Sequence, residues 1–311
     1  MDENAKKRQV EAARVSVLAV RGADLAVLVV TGKDRVSWLN GLLTCDLVKR
    51  SEGDARYGLV ALRSGKVLTD AAVVIADDRA FVIVPAGLVE TLRAHLDHYL
   101  VMEDAIVEGR SDAFDVWVLH GPRSVGVLEA VRAAGGVGGV LDRTGLGGAV
   151  VLVPEVPRAA VHAALERAVA AAGGELGDDE GWEALRLERG VARFGVDFDE
   201  KTYPQEASLE KVAVSFDKGC YLGQEVVCML QMRGRVKRKL ASIVIDAQAV
   251  PRRGAAVTDE AGSPVGEVTS AATSPTLGKA VALAMLKREK AEQGQRVVVG
   301  GARAEVVDRP A

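Results

Sequence analysis

An α+β fold ending in a small β-barrel is predicted for this chain by three observations. Strand-like runs joined by polar turns outnumber strand–helix–strand crossovers, helical stretches fall irregularly among them, and the tail breaks into short apolar segments separated by Gly, Pro and Asp. A doubly wound dinucleotide fold is disfavoured, because the cluster Gly135-Gly136-Val137-Gly138-Gly139 lacks the Gly-x-Gly-x-x-Gly spacing at a strand-to-helix turn. The composition shift near Lys239 divides the chain into residues 1–240, with an internal break near 110, and a barrel over 241–311.

The elements follow from local pattern. Val15 to Thr31 shows two apolar runs broken by Arg21-Gly22-Ala23-Asp24, which predicts a hairpin. Asp34 then stands where it would cap a short helix through Leu43, with Val36, Trp38, Leu39 and Leu42 on its apolar side. Tyr57–Leu62, Val67–Ile75 and Ala80–Val84 read as three strands, and Ala86–Tyr99 as a helix packed on them through Leu88, Val89, Leu92 and Leu96. A second set follows: strand Phe114–His120, helix Ser124–Ala134, the glycine cluster as a loop, strand Gly147–Val153 and helix Arg158–Ala172. In the tail, Leu240–Ile245, Ala255–Thr258, Pro264–Ser270, Ala280–Leu286 and Gln295–Val299 are the barrel strands.

The 311 residues are 49% hydrophobic and 27% charged, enough apolar matter for a sizeable core and unlike a disordered chain. With 40 basic and 43 acidic side chains there is no global pull toward nucleic acid or anionic lipid. A polar N-terminus and the lack of a long apolar run predict no signal peptide and no membrane span, and three cysteines outside any disulfide framework predict a cytoplasmic location. Cys45, Cys220 and Cys228 suit neither a disulfide framework nor a zinc set; His95, His98, His120 and His162 read as surface or satisfied packing histidines, so no metal is expected.

The chemistry concentrates in Asp217-Lys218-Gly219-Cys220-Tyr221-Leu222-Gly223-Gln224-Glu225. The two glycines permit close backbone approach, and Lys218 is placed to meet an anion or favour a Cys220 thiolate. Composition alone leaves equally open a loop entering a helix, with Cys220 an inert small hydrophobe. The run Arg233, Arg235, Lys237, Arg238 and Lys239 reads either as a solvated strand face or as an anchor for the carboxylate tail of a ligand or for tRNA phosphates.

The string Lys218-Gly-Cys-Tyr-Leu-Gly-Gln-Glu225, with Tyr203-Pro204-Gln205-Glu206 before it and Arg233-Gly234-Arg235 after it, resembles the signature of the YgfZ family, folate-binding relatives of the glycine-cleavage T-protein. Further likeness lies in Trp182-Glu183-Ala184-Leu185-Arg186-Leu187-Glu188-Arg189-Gly190, Trp38-Leu39, Thr44-Cys45-Asp46 and Gly266–Ser270. The resemblance implies a three-lobed T-protein-like fold around a channel that holds tetrahydrofolate or a derivative. It implies that Glu188 binds the pterin ring, that Trp182 stacks on it, and that Arg233, Tyr203, Gln205, Lys218, Tyr221 and Gln224 belong to the ligand site. A bidentate carboxylate such as Glu188 suits an aminopyrimidine edge.

The implied role is an accessory one, supporting assembly or repair of iron–sulfur enzymes, tRNA-modifying ones included, through transient contact and a single thiol, Cys220, without robust turnover. The alternative is a folate-dependent aminomethyltransferase using Asp70, since Gly65-Lys66-Val67-Leu68-Thr69-Asp70 resembles the T-protein's catalytic strand but has one acid where T-proteins carry two. The sequence departs from the YgfZ pattern at Leu25, where an aromatic is expected, and at Met229, where an Arg is.

Overall fold

The computed structural model describes residues 3–49 and 53–311. The chain runs α1 (Glu3–Val15), β1 (Leu18–Arg21), β2 (Leu25–Thr31), α2 (Arg35–Leu42), β3 (Ala55–Ala61), β4 (Val67–Ile75), β5 (Arg79–Pro85), α3 (Val89–His98) and β6 (Ile106–Gly109). It continues as β7 (Phe114–His120), α4 (Ser124–Ala133), β8 (Val137–Val140), β9 (Gly148–Pro154), α5 (Arg158–Ala171), β10 (Glu175–Gly177) and α6 (Asp179–Glu188). After a long irregular stretch come α7 (Gln224–Met232), β11 (Arg238–Ile245), β12 (Ala256–Thr258), β13 (Pro264–Ser274), β14 (Lys279–Lys287), β15 (Arg296–Val299) and β16 (Ala302–Val307).

The strands form two five-stranded sheets, ordered β3-β4-β5-β2-β6 and β10-β1-β7-β9-β8, and a closed barrel, β11-β14-β13-β12-β15-β16. The two sheets face each other. Alternation along β2 sends Val27 and Val29 inward with Phe81 and Ile83 to meet Val116, Val150 and Leu152 of the other sheet. Leu28 and Val30 point outward, under Leu39 and Leu42 of α2 and Leu92 and Leu96 of α3. On the far side α4 and α5 cover the second sheet through Val127, Leu128, Val131, Val161 and Leu165. Burial on both faces is why β2 reads as an unbroken apolar run.

The predicted hairpin over Val15–Thr31 does not form. β1 pairs with β7 and β10 in one sheet, whereas β2 pairs with β5 and β6 in the other. Each strand gains two long-range partners, more ladder than a two-stranded ribbon offers. The glycine cluster is also partly a strand: Val137–Val140 pairs along β9, and Gly138 and Gly139 allow neighbouring chain to lie where a Cβ would collide with Val150 O and Ala55 N. The helix after Asp34 is present, but Asp34 caps nothing through its side chain; its carboxylate accepts the Asp104 amide at 2.9 Å.

Helix α6 joins the sheets to the barrel. Its last turns carry Arg186 and Glu188, both fully buried. Arg186 donates to Asp197 and to Glu183, and Asp197 in turn accepts from Thr269 and Ser270 of β13. Among the described residues no helix is long and apolar enough to cross a membrane.

Candidate functional site

Between the two sheets, under α6, lies a cavity of about 410 Å³. Its walls are largely apolar, from Val20, Leu25, Ala72, Ile83, Val118 and Val150, with Tyr57, Asp70, His120, Arg143 and Trp182 among the polar groups and the charged Arg21, Asp24, Asp179, Arg186 and Arg193 also lining it. A mostly apolar hollow of this size with a few polar groups is the usual form of a small-molecule site.

Asp70 and Tyr57 reach it from adjacent strands. In the β3/β4 register Leu59 faces Asp70 and Tyr57 faces Ala72, so Tyr57 and Asp70 are diagonal neighbours on one face of the sheet. The Tyr57 hydroxyl donates to Asp70 Oδ2 at 2.8 Å, and Arg143 Nη2 donates to the same hydroxyl oxygen at 3.0 Å. The Arg143 guanidinium also lies 3.9 Å above the centre of the Tyr57 ring, a close cation–π contact. Burial pushes the Asp70 carboxyl above its ordinary range, with Arg143 and the Tyr57 hydrogen bond acting in opposition; burial likewise raises Tyr57 well above the ordinary phenol. The result is a buried carboxyl disposed to hold a proton at the wall of the cavity.

The loop after β8 presents Arg143. The Asp142 carboxylate accepts the amides of Thr144, Gly145 and Gly147, a local knot that fixes the turn. Gly145 and Gly147 sit at φ 76° and 91°, a conformation that side chains disfavour. Arg143 anchors the other end by donating to Ala192 O at 3.0 Å.

On the opposite wall His120, the last residue of β7, and Trp182 of α6 are stacked, ring centres 4.3 Å apart and planes 4° from parallel. Asp178 caps α6 by accepting the Glu180 and Gly181 amides, which sets the register that brings Trp182 over His120. His120 is 3% exposed, and burial drives its imidazole down to about 3, so it is neutral.

Of the ten site residues expected from sequence, Asp70 and Trp182 line this cavity, and the other eight do not. Glu188, expected at the pterin ring, is turned away: its carboxylate accepts from Arg14 Nη2 (2.8 Å), Ser274 Oγ, the Thr276 amide (3.0 Å) and Thr276 Oγ1 (2.9 Å). Those four bonds consume a carboxylate's capacity and tie α6 to α1 and to the end of β13. Lys218 is a staple. Its ammonium donates to the carbonyls of Asn40 (2.5 Å), Leu43 (2.8 Å) and Cys45 (2.6 Å), three acceptors at the exit of α2 that the helix itself leaves unsatisfied. Burial lowers this ammonium to about 8. It is therefore committed to backbone, not to an anion or to Cys220.

Tyr221 is buried beside α7, burial raising its phenol above the ordinary range, and Gln205 donates to Val227 O at 2.9 Å. Gln224 opens α7, Arg233 is exposed at its end, and Tyr203 lies 5.9 Å from the Lys66 ammonium. Cys220 is exposed on the connection before α7, and Cys228 is half-buried within it. Among the described residues no group of His, Cys, Asp and Glu could hold a metal ion. Sequence reasoning missed Tyr57, Arg143 and His120. The Asp142–Gly147 turn held a signal for Arg143, since an Asp followed by two closely spaced glycines marks a rigid loop. His120 had been expected as a satisfied packing residue, yet its Nε2 is buried with no hydrogen-bond partner.

Comparison with known proteins agrees with this architecture. Residues 2–135 match the GCVT N-terminal domain and residues 238–311 the glycine cleavage T-protein C-terminal barrel domain. An aminomethyltransferase of Thermotoga neapolitana is 30% identical over 303 residues, 90% of this chain and 81% of the relative. One from Chlorobium luteolum is 28% identical over 296 residues, 87% of this chain and 79% of the relative. The crystal structure of the glycine cleavage system aminomethyltransferase T from Bartonella henselae superposes with a TM-score of 0.82 at 20% identity, covering 98% of this chain and 89% of that one, and shows the same fold. Two domain matches and a relative aligned along most of both chains lead to one assignment: the chain belongs to the glycine cleavage T-protein, or aminomethyltransferase, family.

Proposed function

We propose that this protein binds a tetrahydrofolate-type ligand in the cavity between its sheets and that Asp70 assists transfer of a one-carbon unit to that ligand. The observation that carries the reading is the Asp70–Tyr57 pair in an apolar cavity of about 410 Å³, opposite a stacked indole. The residues present fit such a group. Trp182 offers a flat surface to a heterocycle, the apolar walls exclude water, and Asp70 supplies one carboxyl able to give or take a proton at an amine. Bound tetrahydrofolate supplies the nitrogens that accept a one-carbon unit; the protein orients it and holds the proton at Asp70. Relatives that bear the name aminomethyltransferase support transfer of an aminomethyl group as the reaction.

A second reading rests on a different observation. The segment that resembles the YgfZ signature lies outside the cavity and displays Cys220 to solvent between two buried anchors, Lys218 and Tyr221. That arrangement supports an accessory protein that binds folate and uses a surface thiol toward iron–sulfur enzymes, tRNA-modifying ones among them.

One pair of measurements separates the two. The purified protein is given tetrahydrofolate and an aminomethylated lipoyl carrier, and ammonia is followed, with Asp70→Asn as control. In parallel a deletion strain carrying wild type, Asp70→Asn or Cys220→Ser is assayed for iron–sulfur enzyme activity. Ammonia release lost in Asp70→Asn supports the transferase. No release, with rescue abolished only by Cys220→Ser, supports the accessory role, and absence of tetrahydrofolate binding overturns both.

A further inference from the structure

Arg143 lines the cavity half-buried, and among the described residues its side chain bonds to no carboxylate. Its Nη2 donates instead to the Tyr57 hydroxyl at 3.0 Å and to Ala192 O at 3.0 Å, so a phenol stands between the guanidinium and Asp70. That arrangement fixes where protons lie. A guanidinium has donors only, so the bond from Arg143 fills a lone pair on the Tyr57 oxygen and gives the hydroxyl proton nowhere to go. The one acceptor the hydroxyl meets among the described residues is Asp70 Oδ2, at 2.8 Å. A buried hydroxyl left without an acceptor is costly, so its proton lies in that gap, and a second proton cannot share it. When Asp70 is protonated, the acid proton therefore sits on Oδ1. Burial, which raises the Asp70 carboxyl above its ordinary range, favours that protonated form. Oδ1 has no hydrogen-bond partner among the described residues and is not closed off, which leaves it open to the cavity that Asp70 lines.

We propose that Arg143 is a positioning residue: by donating to Tyr57 it commits the phenol proton to Asp70 Oδ2 and leaves Oδ1 as the oxygen through which Asp70 exchanges a proton with a nitrogen of the bound ligand. The inference rests on the transferase reading above and deepens it by naming what aims the acid. Arg143 is itself held at both ends of its reach, by Ala192 O and by the turn that Asp142 knots, so the phenol is oriented before any ligand arrives. With an apolar side chain in its place, the space left by the guanidinium admits a water that accepts the Tyr57 proton. The phenol then accepts from Asp70 Oδ2, and the acid proton is spent inside the wall. A guanidinium that bound the ligand directly would behave differently: its loss would weaken binding, and would do so whether or not Tyr57 carried a hydroxyl.

The test follows ammonia release from tetrahydrofolate and an aminomethylated lipoyl carrier by full-length wild type, Arg143→Met, Tyr57→Phe and the double variant, with a melting curve for each. Each single variant is expected to lower kcat roughly tenfold or more while the KM for tetrahydrofolate stays within about twofold of wild type. The double variant is expected within about twofold of Tyr57→Phe alone, because Arg143 then has no phenol left to orient. Losses that multiply in the double variant, or a raised KM with kcat unchanged in Arg143→Met, overturn the inference and leave the transferase reading standing. Wild type that melts normally and releases no ammonia overturns both. Should Arg143→Met fail to fold, Tyr57→Phe decides: a kcat loss of about tenfold or more at unchanged KM supports the relay through the phenol, and a kcat within about twofold of wild type overturns it.

Discussion

Tyr57 donates its hydroxyl proton to Asp70 at 2.8 Å across adjacent strands, inside a cavity that holds the Asp70 carboxyl above its ordinary range through burial. A carboxyl whose folded value is raised contributes stability that is full below the unfolded value of 3.8 and is lost as pH rises through the folded one. Asp70→Asn should therefore melt higher than wild type at pH 8, with the difference vanishing toward pH 3. If aminomethyl transfer occurs, the same variant should slow it about 10²- to 10⁴-fold, the usual worth of a positioned acid or base. Melting curves against pH and an ammonia assay check the two halves separately.

Glu188 binds α1, α6 and the barrel together, so removing it should unfold the protein more readily without touching the cavity. Glu188→Ala should cost about 3 kcal/mol, because Arg14 loses its partner and Ser274 and Thr276 lose a buried acceptor. Urea denaturation measures the loss. Tetrahydrofolate affinity of the folded variant should stay within about twofold of wild type, and a larger drop would place the carboxylate in contact with ligand.

Lys218 holds three carbonyls at the exit of α2, and Lys218→Met should leave all three without their donor. A loss of about 2–4 kcal/mol is expected, given roughly 1–3 for each buried group left unpaired and some relief from water. Because the ammonium is spent on backbone, alkylation of exposed Cys220 by iodoacetamide should proceed at the wild-type rate in the variant below its melting temperature. Slower alkylation would show that Lys218 activates the thiol.

His120 should make the protein acid-labile. Burial depresses its folded value to about 3 from 6.5, with Arg143 adding to the effect and Asp142 opposing it, so the stability it contributes is full above pH 6.5 and declines as pH falls toward 3. Each pH unit in that window corresponds to about 1.4 kcal/mol. Denaturation of wild type and His120→Leu at pH 7, 6 and 5 should show the gap between them changing by about that amount per unit below pH 6.5.

The elements readable from sequence are those whose pattern is local. β3, β4, β5, α4 and α5 lie where alternation or helical spacing places them, within a residue or two, because one buried face dictates each period; α3 begins three residues later than expected, at Val89, after a 3-10 turn over Ala86–Leu88. Helix α1 was missed because its residues are mostly polar; it is held by Val10 and Ala13 packing beside Leu18 and Leu185, a contact across more than half the chain. β16 was missed for a similar reason, since Ala302–Val307 becomes a strand by closing the barrel between β11 and β15.

By itself the sequence determined the α+β class, the C-terminal barrel, and two residues that line the cavity, Asp70 and Trp182, because residue type and short-range period carry that information. Only the tertiary structure decided that β1 and β2 part company into different sheets, that Glu188 and Lys218 serve the fold, and that Tyr57, Arg143 and His120 meet around the cavity. The physical reason is that a charged side chain reads the same on paper whether it faces a ligand or a buried backbone carbonyl. Which of these it meets depends on partners distant in sequence: Lys218 is satisfied by residues more than 170 positions earlier, and Glu188 by Arg14 on one side and Thr276 on the other.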